Sequence, residues 1–357
     1  MKLYAQSGYG PGDKLDQALS ERLIDGVILS PKDMSQDGVR KCVTEVRKAH
    51  RDADIMLDPQ FYTCLIADSP SANLGYIPEW PHFRNYRKNV LERESTVESI
   101  LREYYQSVAD LPATYVIAPN ILISQSLESR EAVIAKNFIR NTAGAYKKSG
   151  GKQPVLASLV ICREALQDQR EFDEFINDIT MLEQPPDGFY IIVAGRTAEA
   201  KAEIFHTDVL ANWMLLNYSL TINGLRVVNG YSDIMTPFLG AVGAQAGATG
   251  WWSNLRTFSM ERYFPMGGGR QPVPRYLSKA LLTRITFSEK DAIAQFTDVV
   301  LNKLPHDGDY APEPDRTGEA LQSWEAIKSL GEELSAKDVR QGLEKCRRAV
   351  ARAKQVY

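Results

Sequence analysis

Several ionisable side chains in this chain stand immediately after short apolar runs, where a strand would end and a loop begin. Asp58 follows Ile-Met-Leu, Lys32 follows Ile-Leu-Ser-Pro, and Asp233 comes shortly after Val-Val-Asn-Gly. Arg196 follows Val-Ala-Gly, and Arg256 closes the stretch Ala-Thr-Gly-Trp-Trp-Ser-Asn-Leu-Arg. An acid at such a point is costly to bury unless it is paired or used. Asp58 is therefore the first candidate for an acid, base or nucleophile, with Asp233 and Lys32 beside it as catalytic candidates. Gln60, Asn120, Arg196, Tyr231, Trp251, Asn254 and Arg256 supply the groups that would bind a substrate: cations for an anion, amides for hydrogen bonds, and flat rings for stacking.

Each has a purely structural alternative. Asp58 precedes Pro59 and suits a turn, Lys32 suits a surface loop, and Asp233 suits a helix N-cap. Arg196 could pair with either aspartate, and Trp251 and Arg256 could pack and pair beneath the fold.

What would bring these residues together is the order of elements. Eight short runs, Lys2–Ser7, Gly26–Ser30, Asp54–Asp58, Tyr115–Pro119, Pro154–Val160, Phe189–Ala194, Leu225–Val228 and Gly247–Trp251, are mostly apolar throughout, as strands buried on both faces are. Amphipathic stretches alternate with them: Lys14–Ile24, Gln36–Ala49, Ser95–Ala109, Ser126–Lys148, Glu171–Leu182, Asp208–Thr221 and Ser232–Ala246. Ser35 is placed to cap the second, and Ser95 with Glu98 has capping-box spacing for the third. This alternation predicts an α/β fold, a (β/α)8 TIM-like barrel, with an open doubly wound sheet as the competing arrangement. In a barrel all the candidates above fall at one rim, because catalytic groups project from the C-terminal strand ends.

Residues 1–300 form the expected barrel, 301–318 a linker and 319–357 a helical C-terminal extension. A long insertion, residues 59–93, follows the third strand. It lacks clean periodicity and carries four prolines and several aromatics, which suits either a lid or a surface elaboration. The extension holds seven Lys or Arg after residue 331, the pattern of a solvated helix face.

Composition excludes several classes. The 357 residues are 24% charged and 44% hydrophobic with a formal net charge of −3, against a bulk polyanion binder. No run is long and apolar enough for a membrane span, and the N-terminal residues lack a signal-peptide pattern, so a cytoplasmic location without membrane partners is expected. Cys42, Cys64, Cys162 and Cys346 form no C-x-x-C pair, and the four histidines are dispersed, so no zinc cluster is expected. A carboxylate-bound Mg2+ stays compatible with the sequence, and the cofactor is otherwise unknown. The Gly-Tyr-Gly-Pro-Gly-Asp loop after the first strand and the Gly267–Arg270 run match no phosphate-binding fingerprint. No Ser nucleophile elbow appears, and Lys32 is the one lysine placed for Schiff-base chemistry.

Asp58-Pro59-Gln60-Phe61, Ala194-Gly195 and the stretch from Gly247 to Arg256 together resemble the tRNA-guanine transglycosylase type of barrel over residues 1–257. That resemblance implies base exchange at a ribosyl carbon, with Asp58 as one of two aspartates. Trp252-Ser253 stands where the family has its strand-eight acid, and the family's cysteine–histidine zinc cluster is missing. Two functions follow from the sequence. One is a barrel enzyme, a transferase or hydrolase, that uses Asp58 on an anionic, ring-bearing substrate such as a nucleotide or nucleic-acid component. The other is a non-catalytic barrel subunit, docking a protein partner or a second copy through the 59–93 insertion and the C-terminal helix.

Overall fold

The computed structural model describes residues 1–8, 12–195, 206–265, 273–298, 301–310 and 315–356. Arg196, the run Gly267–Arg270, and the middle of the Gly-Tyr-Gly-Pro-Gly-Asp loop lie outside them.

The chain folds as a parallel (β/α)8 barrel. Its strands are β1 (Lys2–Gln6), β2 (Gly26–Leu29), β3 (Asp54–Leu57), β4 (Val116–Ile117), β5 (Leu122–Ile123), β6 (Val155–Cys162), β7 (Gly188–Ala194), β8 (Arg226–Gly230) and β9 (Ala246–Thr249). The order around the sheet is β3-β2-β1-β9-β8-β7-β6-β4, with β5 also on β6. Strands β4 and β5 are two halves of the fourth barrel position, both pairing in parallel with β6. The ring is closed between β3 and β4 by Thr114, whose backbone N–H donates to the Ile55 carbonyl at 2.7 Å while its hydroxyl accepts from the Ile55 N–H at 3.0 Å. This closure decides against the open sheet.

The apolar runs form strands because both faces must be dry. Val27, Ile28 and Leu29 are fully buried, as are Phe189 to Ile192. Each such side chain contributes roughly 1.5–3 kcal/mol by leaving water. Helices cover the outside with one stripe each. The helix Gln36–Ala49 buries Val39, Cys42, Val43 and Val46, and Ser35 caps it by accepting from the Gly38 N–H at 3.2 Å. The capping box at Ser95 does not form. That helix begins earlier, at Glu94, with Arg93 as an N-cap that makes no side-chain bond. The short helix Lys88–Leu91 leads almost directly into it, leaving no extended residue at position 95 to act as a cap.

The 59–93 insertion is built of turns and short 3-10 helices at Phe61–Ile66 and Ile77–Glu79. Most of its aromatics face inwards: Phe61, Tyr62, Trp80 and Phe83 are buried, while Tyr76 is exposed. Phe61 packs on Phe83, Tyr86 and Phe138, the last on the helix Arg130–Lys148. Gly75, at φ +55, holds the insertion close to the β2 loop, where a Cβ would lie 2.0 Å from the Lys32 carbonyl oxygen. Beyond the barrel come the hairpin β10 (Arg275–Ser278) and β11 (Thr283–Thr286), then the helices Arg316–Leu334 and Val339–Val356. The first of these helices packs on the barrel through Trp324, whose indole N–H donates to the Thr249 carbonyl at 3.2 Å.

Candidate active site

Strand β3 delivers Asp58 to the centre of the barrel mouth, and the turn that follows fixes its carboxylate. Gln60 takes a left-handed conformation, φ +52, which folds its backbone N–H back onto Asp58 Oδ1 at 3.1 Å. Oδ2 accepts from the Tyr62 hydroxyl at 3.0 Å and from the Tyr190 hydroxyl at 3.4 Å. Tyr190 stands on β7, so its phenol crosses the barrel to reach Asp58. Among the described residues Asp58 makes no ion pair, and it is 1% exposed. Burial pushes its pKa up to about 6, against the opposing pull of the Gln60 N–H, the two phenols and the Arg262 charge. Such a value suits a group that both gives and takes a proton near neutrality.

Around Asp58 the strand ends are tied by side chains. Gln60 Nε2 donates to Ser30 Oγ at 2.9 Å, and Gln60 Oε1 accepts from the Lys32 backbone N–H at 3.0 Å. Lys32 is half-buried, with Nζ 6.0 Å from the centre of the Tyr263 ring. Burial lowers its pKa, Asp33 opposes that, and Arg262 adds to it. The Tyr263 hydroxyl is in turn 3.3 Å from that of Tyr62.

Arg262 is the residue that sequence reasoning missed. It lies in the 3-10 turn Met260–Tyr263, which Ser259 caps by accepting from the Glu261 N–H. Its buried guanidinium donates to the Tyr231 hydroxyl at 2.9 Å and to Ser30 Oγ at 3.2 Å, and pairs with Asp33. Phe258, just upstream, packs on Tyr62 at 5.0 Å and on Tyr231 at 5.2 Å, and its carbonyl accepts from the Gly195 N–H at 2.7 Å. The segment after β9 therefore lies across the barrel mouth towards β7. The visible signal was an arginine beside a tyrosine, Glu-Arg-Tyr-Phe, just beyond the last strand.

Asp58, Gln60, Lys32 and Tyr231 thus belong to one connected group. The other candidates have different partners. Asp233, at φ +40 rather than in an N-cap conformation, accepts from both terminal guanidinium nitrogens of Arg284 on β11 and from the Thr249 hydroxyl at 2.7 Å. Burial alone would raise its pKa, but Arg284 outweighs that and holds the carboxyl below its ordinary value. Arg256 Nη2 donates to Glu319 Oε1 at 2.8 Å and to the Trp251 carbonyl, both side chains of the ion pair being buried. Trp251 stacks edge-on against Trp324 at 6.4 Å. These three residues fasten the hairpin and the C-terminal helix to the barrel. Asn120 is saturated by backbone: it donates to the Ser158 carbonyl at 2.6 Å and accepts from the Ile121 N–H at 2.8 Å, bridging the break between β4 and β5. Asn254 sits half-buried on the short helix Ser253–Arg256. Among the described residues no three His, Cys, Asp or Glu side chains converge as a metal-binding group.

No family model and no curated protein matches the chain. Solved structures do. A glycoside hydrolase family 3 β-N-acetylglucosaminidase from Paenibacillus is 12% identical, with a TM-score of 0.40 over 98% of this chain and 67% of that one. A type I 3-dehydroquinate dehydratase from Clostridium difficile is 9% identical, with a TM-score of 0.39 over 73% and 88%. An enolase from Bradyrhizobium, complexed with magnesium and mandelic acid, is 10% identical with a TM-score of 0.37, over 70% of this chain. The chain spans about half the length of that enolase, 52%. At these scores the matches assign neither activity nor substrate. With the tRNA-guanine transglycosylase type the chain shares a barrel. Trp252, in the stretch that carried that resemblance, is exposed with Arg316 over its ring.

Proposed function

We propose that the protein is a barrel enzyme in which Asp58 is the general acid–base and Lys32 gathers an anionic substrate at the C-terminal strand ends. The observation that carries this reading is a carboxyl buried without a cation partner among the described residues, raised to a pKa of about 6, and held by three donors at the centre of a barrel mouth. Stability alone does not call for such a group, because an apolar side chain there would avoid the desolvation cost. The phenyl and phenol rings of Phe258, Tyr62, Tyr231 and Tyr263 around it favour a ring-bearing substrate, a nucleotide or nucleic-acid component, undergoing transfer or hydrolysis.

A thermal-shift screen against nucleotides, sugar phosphates, small carboxylates and divalent metals tests the reading. A ligand at about 100 times its Kd adds roughly 2.7 kcal/mol. The expected hit is an anion whose shift is lost in Lys32→Ala and whose turnover, with binding kept, is lost in Asp58→Asn. A hit indifferent to both substitutions overturns the reading.

One observation favours a second reading, a non-catalytic subunit. Leu343 and Val350, seven residues apart on one face of the helix Val339–Val356, are exposed. The insertion's inward-facing aromatics give that reading less support. Light scattering decides it: a concentration-independent monomer with a ligand-responsive barrel argues for the enzyme.

A further inference from the structure

Gln6 closes β1 at the floor of the Asp58 site and is wholly buried, yet its amide nitrogen has no hydrogen-bond partner among the described residues. A dry, unused donor costs about as much as a lost hydrogen bond, and native interiors rarely tolerate one without a reason. The neighbouring hydroxyl is also poorly committed. Tyr190 has one proton and two acceptors, Gln6 Oε1 and Asp58 Oδ2, each at 3.4 Å, the outer limit of a hydrogen bond. Space for that hydroxyl is kept by Gly230 on β8, where a Cβ would lie 2.3 Å from it. The unsatisfied group here is a donor, the Gln6 amide N–H, so the complement it lacks is an acceptor oxygen.

We propose that Gln6 Nε2 donates to a carbonyl oxygen of the substrate, beside the Tyr190 hydroxyl that stays on Asp58. The ligand class is then a small anion that carries a carbonyl group, as a 2-oxo acid or an oxo-pyrimidine nucleotide does. This rests on the reading of Asp58 as the proton-transfer group and Lys32 as the anion contact, and it adds the group that orients the substrate between them. The sequence places Gln6 at the first strand end, on the rim with Ser7, but a glutamine there carries no motif; its missing partner is what singles it out.

The test uses the full chain and three probes: pyruvate, uridine 5′-monophosphate, and glycerol 3-phosphate as an anion without a carbonyl. Calorimetric titration and melting are compared for the native protein, Gln6→Met, Lys32→Ala and Asp58→Asn. The expected result is binding of pyruvate or of the uridine nucleotide, weakened tenfold or more in Gln6→Met, with any binding of glycerol 3-phosphate unchanged by that substitution. Which of the two carbonyl compounds binds distinguishes the sources. Gln6→Met should also melt higher than the native protein without ligand, since the unused donor is gone. Carbonyl probes that bind equally well to Gln6→Met, or not at all, overturn the proposal. If glycerol 3-phosphate still binds and is lost in Lys32→Ala, the carbonyl subsite alone has failed and the reading of the site stands. Should Gln6→Met not fold, Gln6→Leu carries the same comparison.

Discussion

The Tyr62 hydroxyl donates to Asp58 Oδ2 at 3.0 Å, and the two residues are only four positions apart, joined by a turn that passes through the left-handed Gln60. The hydrogen bond favours the charged carboxylate, while burial favours the neutral acid. The balance between them sets the group near neutrality. Gln60 serves both sides of that turn, with its backbone on Asp58 and its side chain on Ser30 and the Lys32 backbone.

Tyr62→Phe removes one donor to the carboxylate and leaves the ring in place. The Asp58 pKa should rise further, by about one unit if the bond is worth about 1.4 kcal/mol. An infrared titration of the carboxyl band reads the shift directly. A pKa that stays put or falls would show that the phenol does not hold the charge.

Asp58→Asn should change the pH dependence of stability in a definite sense. The folded-state pKa, about 6, lies above the ordinary 3.8, so the folded protein holds the proton more tightly than the unfolded chain. That contribution is fully present below pH 3.8 and is lost as pH rises through 6. Relative to its value in acid, Asp58→Asn should therefore gain up to about 3 kcal/mol on the native protein above pH 6. Urea unfolding of both proteins across pH 4 to 7.5 measures this; a constant difference would contradict it.

His82, inside the insertion, has the opposite sign. Burial lowers its pKa from 6.5 to about 3, and neither ring nitrogen has a hydrogen-bond partner among the described residues. Its ring packs on Tyr104 at 4.8 Å. The unfolded chain binds a proton that the folded protein refuses, so stability falls as pH drops from 6.5 towards 3, by up to about 1.4 kcal/mol per pH unit. His82→Phe should flatten that acid limb while leaving neutral stability within about 2 kcal/mol. An unchanged acid limb would mean that the imidazole is not the group responsible.

Arg256→Ala should act on stability and not on ligand binding. It strands the buried Glu319 carboxylate and loosens the helix Arg316–Leu334, at a cost of about 3–5 kcal/mol. Denaturant unfolding should show that loss, with the surviving folded protein keeping its ligand response at low temperature. Native-like stability with ligand binding abolished would return Arg256 to the binding site.

The barrel was legible because its information is local. Doubly apolar runs of four to seven residues, with amphipathic helices between them, admit few arrangements, and the strand ends named Asp58, Gln60, Lys32 and Tyr231. The rest depended on distant partners. Nothing within a few residues of Arg256 or Asp233 reveals that Glu319 and Arg284, 63 and 51 positions away, will claim them. The same distance hid Arg262, whose Ser30 partner is 232 positions off. Residues 59–93 stayed open between a lid and a surface elaboration, because irregular backbone gives no period by which inside and outside can be told apart. Both expected roles for the extension's charge fell short of showing the buried Glu319, Gln322 and Trp324 on its first helix.

The central claim is that Asp58 is a buried acid poised near neutrality. A carbon-detected NMR titration of the aspartate carboxyls, with Asp58→Asn to assign the signal, tests it most directly. One carboxyl, absent from the variant, should titrate at about 6 in the native protein. A signal lost on substitution that titrates below about 4, within the ordinary range, would mean that Asp58 is a simple turn residue and would remove the basis for the catalytic reading.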